Sequence, residues 1–173
     1  NRISVGPESS GSEPGPASYG LGGQAPTVTD ADVVLGRIDP GNFAGGSLQL
    51  NAAAASQALD RVIGERLGFQ TEYAAMGVSE MVDENMANAA RVHAVESGKN
   101  IENRTLVAFG GAAPIHVSRL AEKLNIERIV IPPGAGVGSA LGFLRAPVAY
   151  EVVRSHHQRL DQLDVAQTNH LIQ

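Results

Sequence analysis

The sequence predicts an α/β fold with a parallel βαβα unit preceded by several helices. Two short apolar runs, 105–109 and 128–131, are each followed by a glycine-rich turn and a helical apolar pattern. Upstream, two longer stretches, 48–68 and 71–97, carry apolar residues at helical spacing and end next to a glycine. Strands that alternate with helices in this way form parallel sheets.

Residues 1–47 form a glycine- and proline-rich arm. They hold half of the 20 glycines and more than half of the 9 prolines in the chain. The stretch 6–16 has almost no apolar side chain and cannot form a core by itself. Long loops in compact proteins are often binding loops or lids, so we interpret these residues as an active-site arm. Within it, Thr29 or Asp30 is predicted to cap a short helix over 32–35.

Two helices are predicted over 48–68 and 71–97, with Gly68 and Gly98 as terminators. In the second helix, we expect an apolar stripe to face the core and the charged residues to face solvent or a partner. The stripe comprises Val78, Met81, Val82, Met86 and Ala89, and the charged set comprises Glu72, Glu80, Asp83, Glu84 and Arg91.

The βαβα unit follows. The strand at 105–109 is nearly all apolar, as expected for a strand buried on both faces. A turn leads to a helix that ends at Asn125, and a second buried strand at 128–131 is stopped by two prolines. The next glycine-rich turn leads to another helix, and a further strand is expected at 148–153. No secondary structure is assigned to the polar tail after Ser155.

We therefore divide the chain into three parts. The arm at 1–47 is followed by a helical insert plus the βαβα nucleotide-side subdomain at 48–147. A strand and polar tail at 148–173 are expected to lead to a missing segment, because both ends of the sequence look cut.

Composition excludes whole classes of function. The net charge is -5, and the basic residues are scattered without interleaved aromatics, so nucleic-acid binding is not expected. No apolar run approaches the length of a membrane span, and no signal segment begins the chain. Cysteine is absent, which removes disulfides, thiol nucleophiles and thiolate metal sites. We expect a cytoplasmic protein.

The first candidate site is the turn at Gly110 and Gly111, between a strand and a helix. Ligands collect at the carboxyl ends of strands in α/β sheets, and paired glycines let the backbone approach a base, ribose or phosphate closely. A tight turn without a ligand explains the pair equally well. The second glycine turn, 132–138, lacks the spacing of a phosphate-binding loop, and a packing role is favoured there.

The arm and the histidines provide weaker candidates. Glu8, Asp30 and the hydroxyls of the arm could line a substrate channel or a magnesium-water shell, although their spacing is not diagnostic of a metal site. His116 lies in the first turn of its helix, where it could contact a ligand or act as an acid or base. A structural role that satisfies nearby backbone carbonyls is an equal alternative.

Four segments, in order, resemble signatures of the hydantoinase A/5-oxoprolinase family. Residues 109–116 read Phe-Gly-Gly-Ala-Ala-Pro-Ile-His, which resembles the family's Phe-Gly-Gly-Ala-Gly-Pro-Leu-His. Residues 132–142 match the strand–helix turn that follows it in the family. The arm supplies the other two segments, 5–20 and 26–37. The chain is therefore identified as an internal fragment of such a protein.

The resemblance implies a partial ATPase domain similar to actin, hexokinase and Hsp70. It implies a parent enzyme that uses ATP and Mg²⁺ to activate and hydrolyse a cyclic amide, or the equivalent subunit of an ATP-dependent ketone carboxylase. A B-type hydantoinase subunit or domain is the implied partner, and an oligomer is expected. The expected nucleotide contacts are Gly110, Gly111, Ala112 and Ala113, whereas His116, Glu8 and Asp30 are weaker candidates for the active-site wall and the catalytic residues stay unassigned.

Two departures from the family pattern bear on this expectation. Ala113 stands where the family usually has glycine, which adds a methyl group close to the expected nucleotide. The family's acidic Gly-Gly-Thr phosphate loops are not present in this chain. We therefore predict the adenosine half of an ATP site, and a chain that does not hydrolyse ATP alone.

A second hypothesis is a non-catalytic assembly module. In that case the helix at 71–97 and its carboxylate-rich face would dock a partner subunit, and the glycine turns would be packing devices.

Overall fold

The computed structural model describes residues 2–172. Its contacts divide the chain between Ser139 and Ala140 into two compact units. Over the described residues, none of the helices combines the length and apolar character needed to cross a membrane.

The arm leads into helix α1, Val28–Val34, after a 3₁₀ turn at Ala17–Tyr19. The N-cap of α1 is Thr27, so the predicted cap at Thr29 or Asp30 is wrong. Thr27 Oγ1 accepts a hydrogen bond from the Asp30 amide at 3.3 Å, and the Asp30 carboxylate accepts one from the Thr27 amide at 2.8 Å. This reciprocal pair satisfies two amides that a helix start would otherwise leave free, and α1 begins at Val28, four residues before the predicted start at 32.

The predicted helix at 48–68 is present from Ala52 onward. Helix α2, Ala52–Leu59, continues through a π-helical segment, Asp60–Gly64, into the short α3, Glu65–Leu67. The start lies later than predicted because Asn51 caps α2 by accepting a hydrogen bond from the Ala54 amide at 3.0 Å. The helical stretch ends where predicted, at Gly68, which has a φ of 68°.

Helix α4, Thr71–Glu96, is the longest element and confirms the predicted helix, but its buried face differs from the predicted stripe. Met81, Val82 and Met86 are only half-buried and Ala89 is exposed. Small side chains fill the buried face because α1 and α5 both pack closely on α4, and close approach of helices requires small residues. The buried residues are Ala74, Ala75, Val78, Ser79, Asp83 and Ala87.

The predicted parallel βαβα unit is confirmed. Strand β1, Thr105–Val107, is followed by α5, Ala113–Leu124, then by β2, Arg128–Val130, and by α6, Gly138–Arg145. The strands pair in parallel, with Leu106 opposite Ile129.

The prediction that both strands are buried on both faces is wrong for this chain. Val107 is 55% exposed and Ile129 is 38% exposed. The sheet has two strands within residues 2–172, so much of their apolar surface has no neighbour there. Such exposure of apolar side chains is unusual for a pair of parallel strands, because parallel sheets normally have both faces covered.

Three groups of buried residues hold the first unit together. The largest joins Ala31 of α1, Leu59 of α2 and Val78 of α4, and Ile3 and Val5 of the arm pack against it. These contacts place the arm on the helices. A second group lies where Val33, Leu50 and Ala55 meet, and a third comprises Ala87, Ala121, Leu124 and Ile126.

The regular structure of the second unit is helical, and it begins with most of α6. Residues 148–153 form no strand, so that prediction is wrong, and no strand of the described chain pairs with them to satisfy their backbone groups. The tail, whose type was left open, forms a 3₁₀ turn at Leu160–Gln162 and helix α7, Val165–Ile172. Every described residue from Ala140 onward is exposed or half-buried, so this unit has no core of its own.

Candidate functional site

The first glycine turn lies open at the carboxyl end of β1. Gly110 has a φ of 94°, a conformation that favours glycine, and a Cβ atom built on Gly110 or Gly111 meets no heavy atom within 4 Å. Ala112 and Ala113 are exposed. Pro114 occupies the first turn of α5, where the Ile115 amide donates to the Ala112 carbonyl at 3.0 Å. The turn therefore presents backbone and open space, which suits a flat ligand.

The second glycine turn is bonded to the first. The Gly110 amide donates to the Ala135 carbonyl at 2.7 Å, so both turns lie at the same edge of the sheet. A Cβ atom on Gly138 would lie 3.2 Å from Cβ of Phe109. Gly138 thus allows close packing of helix and strand, which is the packing role favoured for this turn from the sequence.

His116 is buried between two carboxylates. Its Nε2 lies 3.2 Å from Asp32 Oδ2 and its Nδ1 lies 2.9 Å from Asp83 Oδ1. The side chain is 4% exposed, so His116 does not reach the open turn. Its structural partners are carboxylates of α1 and α4 instead of the backbone carbonyls that we had considered.

The charge of His116 follows from these neighbours. The hydrogen bond to Asp32 raises the pKa of His116 above its usual value of 6.5, the charges of Asp32 and Asp83 add to this effect, and burial opposes it. Around the ring, Arg37 contacts Asp32 Oδ1 at 3.4 Å and the Ser79 hydroxyl at 2.5 Å. Two cationic and two anionic side chains therefore balance each other in this cluster.

Stability should fall as the pH rises. Because the pKa of His116 is higher in the folded chain, its contribution is complete below pH 6.5 and is lost as the pH rises through the folded-state pKa. We expect the free energy of unfolding to decrease over that window by up to about 1.4 kcal/mol per pH unit. Urea unfolding at a series of pH values measures this slope, and a flat profile above pH 6.5 would contradict the prediction.

Asp83 was expected to face solvent or a partner, and that prediction is wrong. Its side chain is 1% exposed, and within the described chain its Oδ2 has no hydrogen-bond partner. The sequence signal that could have revealed Asp83 is the four-residue spacing of Ala75, Ser79, Asp83 and Ala87, which places small and polar residues on one helix face. Asp32 was missed as well, because its partner lies far away in the chain.

Asp30 is a fully buried organiser of the arm. Its carboxylate accepts hydrogen bonds from the amides of Ala17 at 3.1 Å, Ser18 at 2.7 Å and Thr27 at 2.8 Å, and from the Thr27 hydroxyl at 2.9 Å. All of these partners belong to the protein itself. The carboxylate thus fixes the Ala17–Tyr19 turn to the start of α1.

Glu8 lies in a different place, on an open cleft beneath the arm. The cleft has a volume of about 970 Å³, and neither glycine turn lines it. Its polar lining includes Glu8, Ser9, Ser10, Thr29 and Arg66, above a floor that contains Ile63 and Val78. The four glycine-turn residues and His116 are neighbours in the sequence, within 110–116. Glu8 and Asp30 belong to the arm, so the structure does not bring all the predicted site residues together.

Two carboxylates of α4 outside this cluster, Glu80 and Glu84, pair with α5. Glu80 accepts hydrogen bonds from Arg119 at 2.9 Å and from Lys123, and Glu84 accepts one from Lys123 at 2.7 Å. The hydrogen bond from Arg119, then that from Lys123, lowers the pKa of Glu80 to about 2. Because the two glutamates and Arg119 are about half exposed, although the Lys123 side chain is mostly buried, these pairs align the two helices and contribute little stability.

No metal site is formed by the described residues. Between Arg2 and Ile172, no three histidine or acidic side chains converge as metal ligands do. The expectation of a magnesium-water shell in the arm has no ligand cluster to support it in this part of the chain.

Comparisons with known proteins place the chain in a family. Residues 1–152 match the family described as hydantoinase/oxoprolinase. The acetophenone carboxylase γ subunit of Aromatoleum aromaticum is 47% identical over 141 residues, which cover 82% of this chain and 19% of that protein. This chain spans at most a quarter of the length of the curated relatives considered, 19% to 25%.

Two solved structures share the fold. The ATP-dependent caprolactamase of Pseudomonas jessenii matches with a TM-score of 0.73 and 42% identity, over 79% of this chain and 20% of that one. Nucleotide-free acetone carboxylase matches with a TM-score of 0.74 and 31% identity, over 81% of this chain and 20% of that one. Since the family match covers most of its length, the chain belongs to the hydantoinase/oxoprolinase family.

Proposed function

We propose that the chain forms the adenosine side of the ATP site in an ATP-dependent enzyme. That enzyme activates a cyclic amide by phosphorylation and hydrolyses it, or is the equivalent subunit of a ketone carboxylase. The βαβα unit then belongs to an ATPase domain similar to actin, hexokinase and Hsp70. The relatives support this proposal, because one solved neighbour is an ATP-dependent caprolactamase and another performs ATP-dependent acetone carboxylation.

The observation that carries the proposal is the open turn. Gly110 and Gly111 have free space where side chains would otherwise stand, at the carboxyl end of a parallel strand. Ala112 and Ala113 complete the surface that faces the nucleotide. Ala113, which replaces the family's usual glycine, begins α5 with ordinary helical geometry and is exposed, so alanine fits there without backbone strain.

ATP supplies the phosphoryl group that activates the amide or enolate oxygen. The residues of this chain bind and orient the adenosine, and Glu8 reaches the separate cleft, where it could contact substrate. His116 and Asp30 act indirectly in this proposal, since both are buried and bonded to protein groups. We assign the phosphate and Mg²⁺ ligands to segments of the parent protein outside this chain.

Partner subunits are part of the proposal. Related proteins are named as the α subunit of caprolactamase, the γ subunit of acetophenone carboxylase and the β subunit of acetone carboxylase. By analogy, a B-type subunit or domain would complete the reaction. The assembly-module hypothesis has less support, because Glu80 and Glu84 already pair with α5.

Gly111→Ala tests the nucleotide site directly. The backbone of Gly111 is outside the left-handed region and its Cβ position is open, so the protein tolerates the methyl group while a base packed on the turn does not. We expect ADP affinity of the intact parent protein to fall about tenfold or more, measured by calorimetric titration.

The matched control is Gly142→Ala, where an added Cβ also meets nothing within 4 Å. It should leave ADP affinity within about twofold of the starting protein. Equal affinities for both variants, in a parent that does bind ADP, would place the nucleotide elsewhere.

A further inference from the structure

Helix α1 carries two buried aspartates that hold different parts of the molecule. Asp30 accepts hydrogen bonds from the Ala17 and Ser18 amides of the arm, and Asp32 contacts His116 in the first turn of α5. The two carboxylates are 0% and 2% exposed, respectively. A single short helix thus connects the arm to the helix that follows the open glycine turn.

His116 must donate two hydrogen bonds in this arrangement. Its nitrogens lie 3.2 Å from an oxygen of Asp32 and 2.9 Å from an oxygen of Asp83. Ionised carboxylates only accept, so both ring nitrogens carry protons and the ring is a cation. Asp83 Oδ2 finds no donor in the described part of the chain, which makes this carboxylate depend on the imidazolium for compensation.

The same ring anchors the start of α5. From Phe109 to Ile115 every residue is exposed or half-buried, whereas Ala108 before them and His116 after them are buried. The open turn therefore lies between two buried anchors, and within it the Gly110 amide donates to the Ala135 carbonyl at 2.7 Å. Ala108 is fixed by the hydrogen bond from its amide to the Val130 carbonyl at 2.9 Å, and His116 is fixed by the two carboxylates.

We propose that the Asp32–His116–Asp83 bridge positions the turn formed by Gly110, Gly111, Ala112 and Ala113 for its nucleotide and ties that position to the arm through α1. The nucleotide part of this inference rests on the proposed function. His116 is here a positioning residue, since it touches protein groups and not the ligand.

The bridge has a pH dependence that a purely steric support lacks. When His116 loses a proton, one carboxylate loses its donor and the anchor at the start of α5 weakens. The other charged groups on the helices packed around the ring are Arg37, which contacts Asp32, and the α4–α5 pairs of Glu80 and Glu84 with Arg119 and Lys123.

Asp83→Asn separates the charge of the bridge from its geometry. An asparagine amide can donate to Nδ1 of a neutral ring while Nε2–H still donates to Asp32, so the bridge survives without the second charge. Asp83→Ala removes the partner altogether. Arg119→Gln is the matched control, because it breaks the exposed pair with Glu80 between the same two helices and leaves the bridge intact.

The experiment measures the ADP dissociation constant of the intact parent protein from pH 6 to pH 9, for these three variants and the starting protein. We expect affinity of the starting protein to weaken as the pH rises, and that of Asp83→Asn to be independent of pH. Asp83→Ala should bind about tenfold more weakly, within the usual range of coupling between sites, and Arg119→Gln should match the starting protein.

Hydrogen exchange of the amides at 110–116 separates this inference from the proposed function. Faster exchange in Asp83→Ala than in Arg119→Gln supports positioning by the bridge. This holds even if the parent protein fails to bind ADP, because that failure would overturn only the nucleotide assignment. Unchanged exchange, or unchanged ADP affinity in a parent that binds ADP, overturns the bridge as a positioning device.

Discussion

His116→Ala is expected to lower the free energy of unfolding by about 3–5 kcal/mol, the usual cost of breaking a buried ion pair. The substitution leaves Asp32 and Asp83 buried without their shared cation, and their side chains are 3% and 1% exposed. Loss of the ring also leaves a cavity between α1, α4 and α5, which adds to the destabilisation. Urea unfolding at pH 6 gives the free energy directly, because the histidine contribution is complete there.

Two comparisons test the cause of that loss. His93→Ala removes an exposed histidine of α4 and should change stability by no more than about 0.5 kcal/mol. The double variant His116→Ala with Asp83→Ala removes both members of one contact, so it should lose less than the sum of the two single losses. Additive losses would mean that the residues contribute independently and that unpaired charge is not the cause.

The βαβα unit could be predicted from sequence because its signals are local. The apolar runs before Gly110 and Pro132, and the helical spacing through Leu124, follow from the period of each element alone. The helix ends at Gly68 and Gly98 were equally visible, since glycine readily adopts the left-handed conformation that both show here.

The buried face of α4 could not be found by an apolar pattern. The helix lies between α1 and α5, and close packing on both sides selects small residues such as Ala75 and Ala87. It also places Asp83 inside, next to a cation that lies 33 positions away in the sequence. A partner so distant in the sequence produces no local pattern. The sequence therefore predicted that Asp83 was solvent-exposed like the other charged residues of the helix.

In the candidate site, too, the features set by local sequence could be predicted and those set by burial could not. The open turn at Gly110 and Gly111 was expected from glycine chemistry, and the structure places free space above it. The roles of His116 and Asp30 depended on burial, which sequence alone did not reveal. His116 was a candidate because it lies beside a glycine turn, with a structural role as an equal alternative, and Asp30 was one because it lies in the arm. Both bond to protein atoms.

Asp30→Ala is the second change with a large expected effect. It leaves the amides of Ala17, Ser18 and Thr27 without their acceptor, and each orphaned buried donor costs about 1–3 kcal/mol. It also removes half of the capping box of α1. We expect the free energy of unfolding to fall by about 3–4 kcal/mol and the arm to become sensitive to protease in limited digestion.

The control for Asp30 is Asp39→Ala, which removes a carboxylate that accepts a single exposed hydrogen bond from the Gly41 amide at 2.9 Å. This variant should lose no more than about 1 kcal/mol and keep the arm protected. Asp30→Asn retains one oxygen acceptor, so its loss should be intermediate. If the arm of Asp30→Ala stayed as protected as that of Asp39→Ala, the contacts of Ile3 and Val5 with the helical core would be sufficient to hold it. The Asp30 carboxylate would then stabilise only the start of α1. The proposed connection from the arm through α1 to His116 would be contradicted.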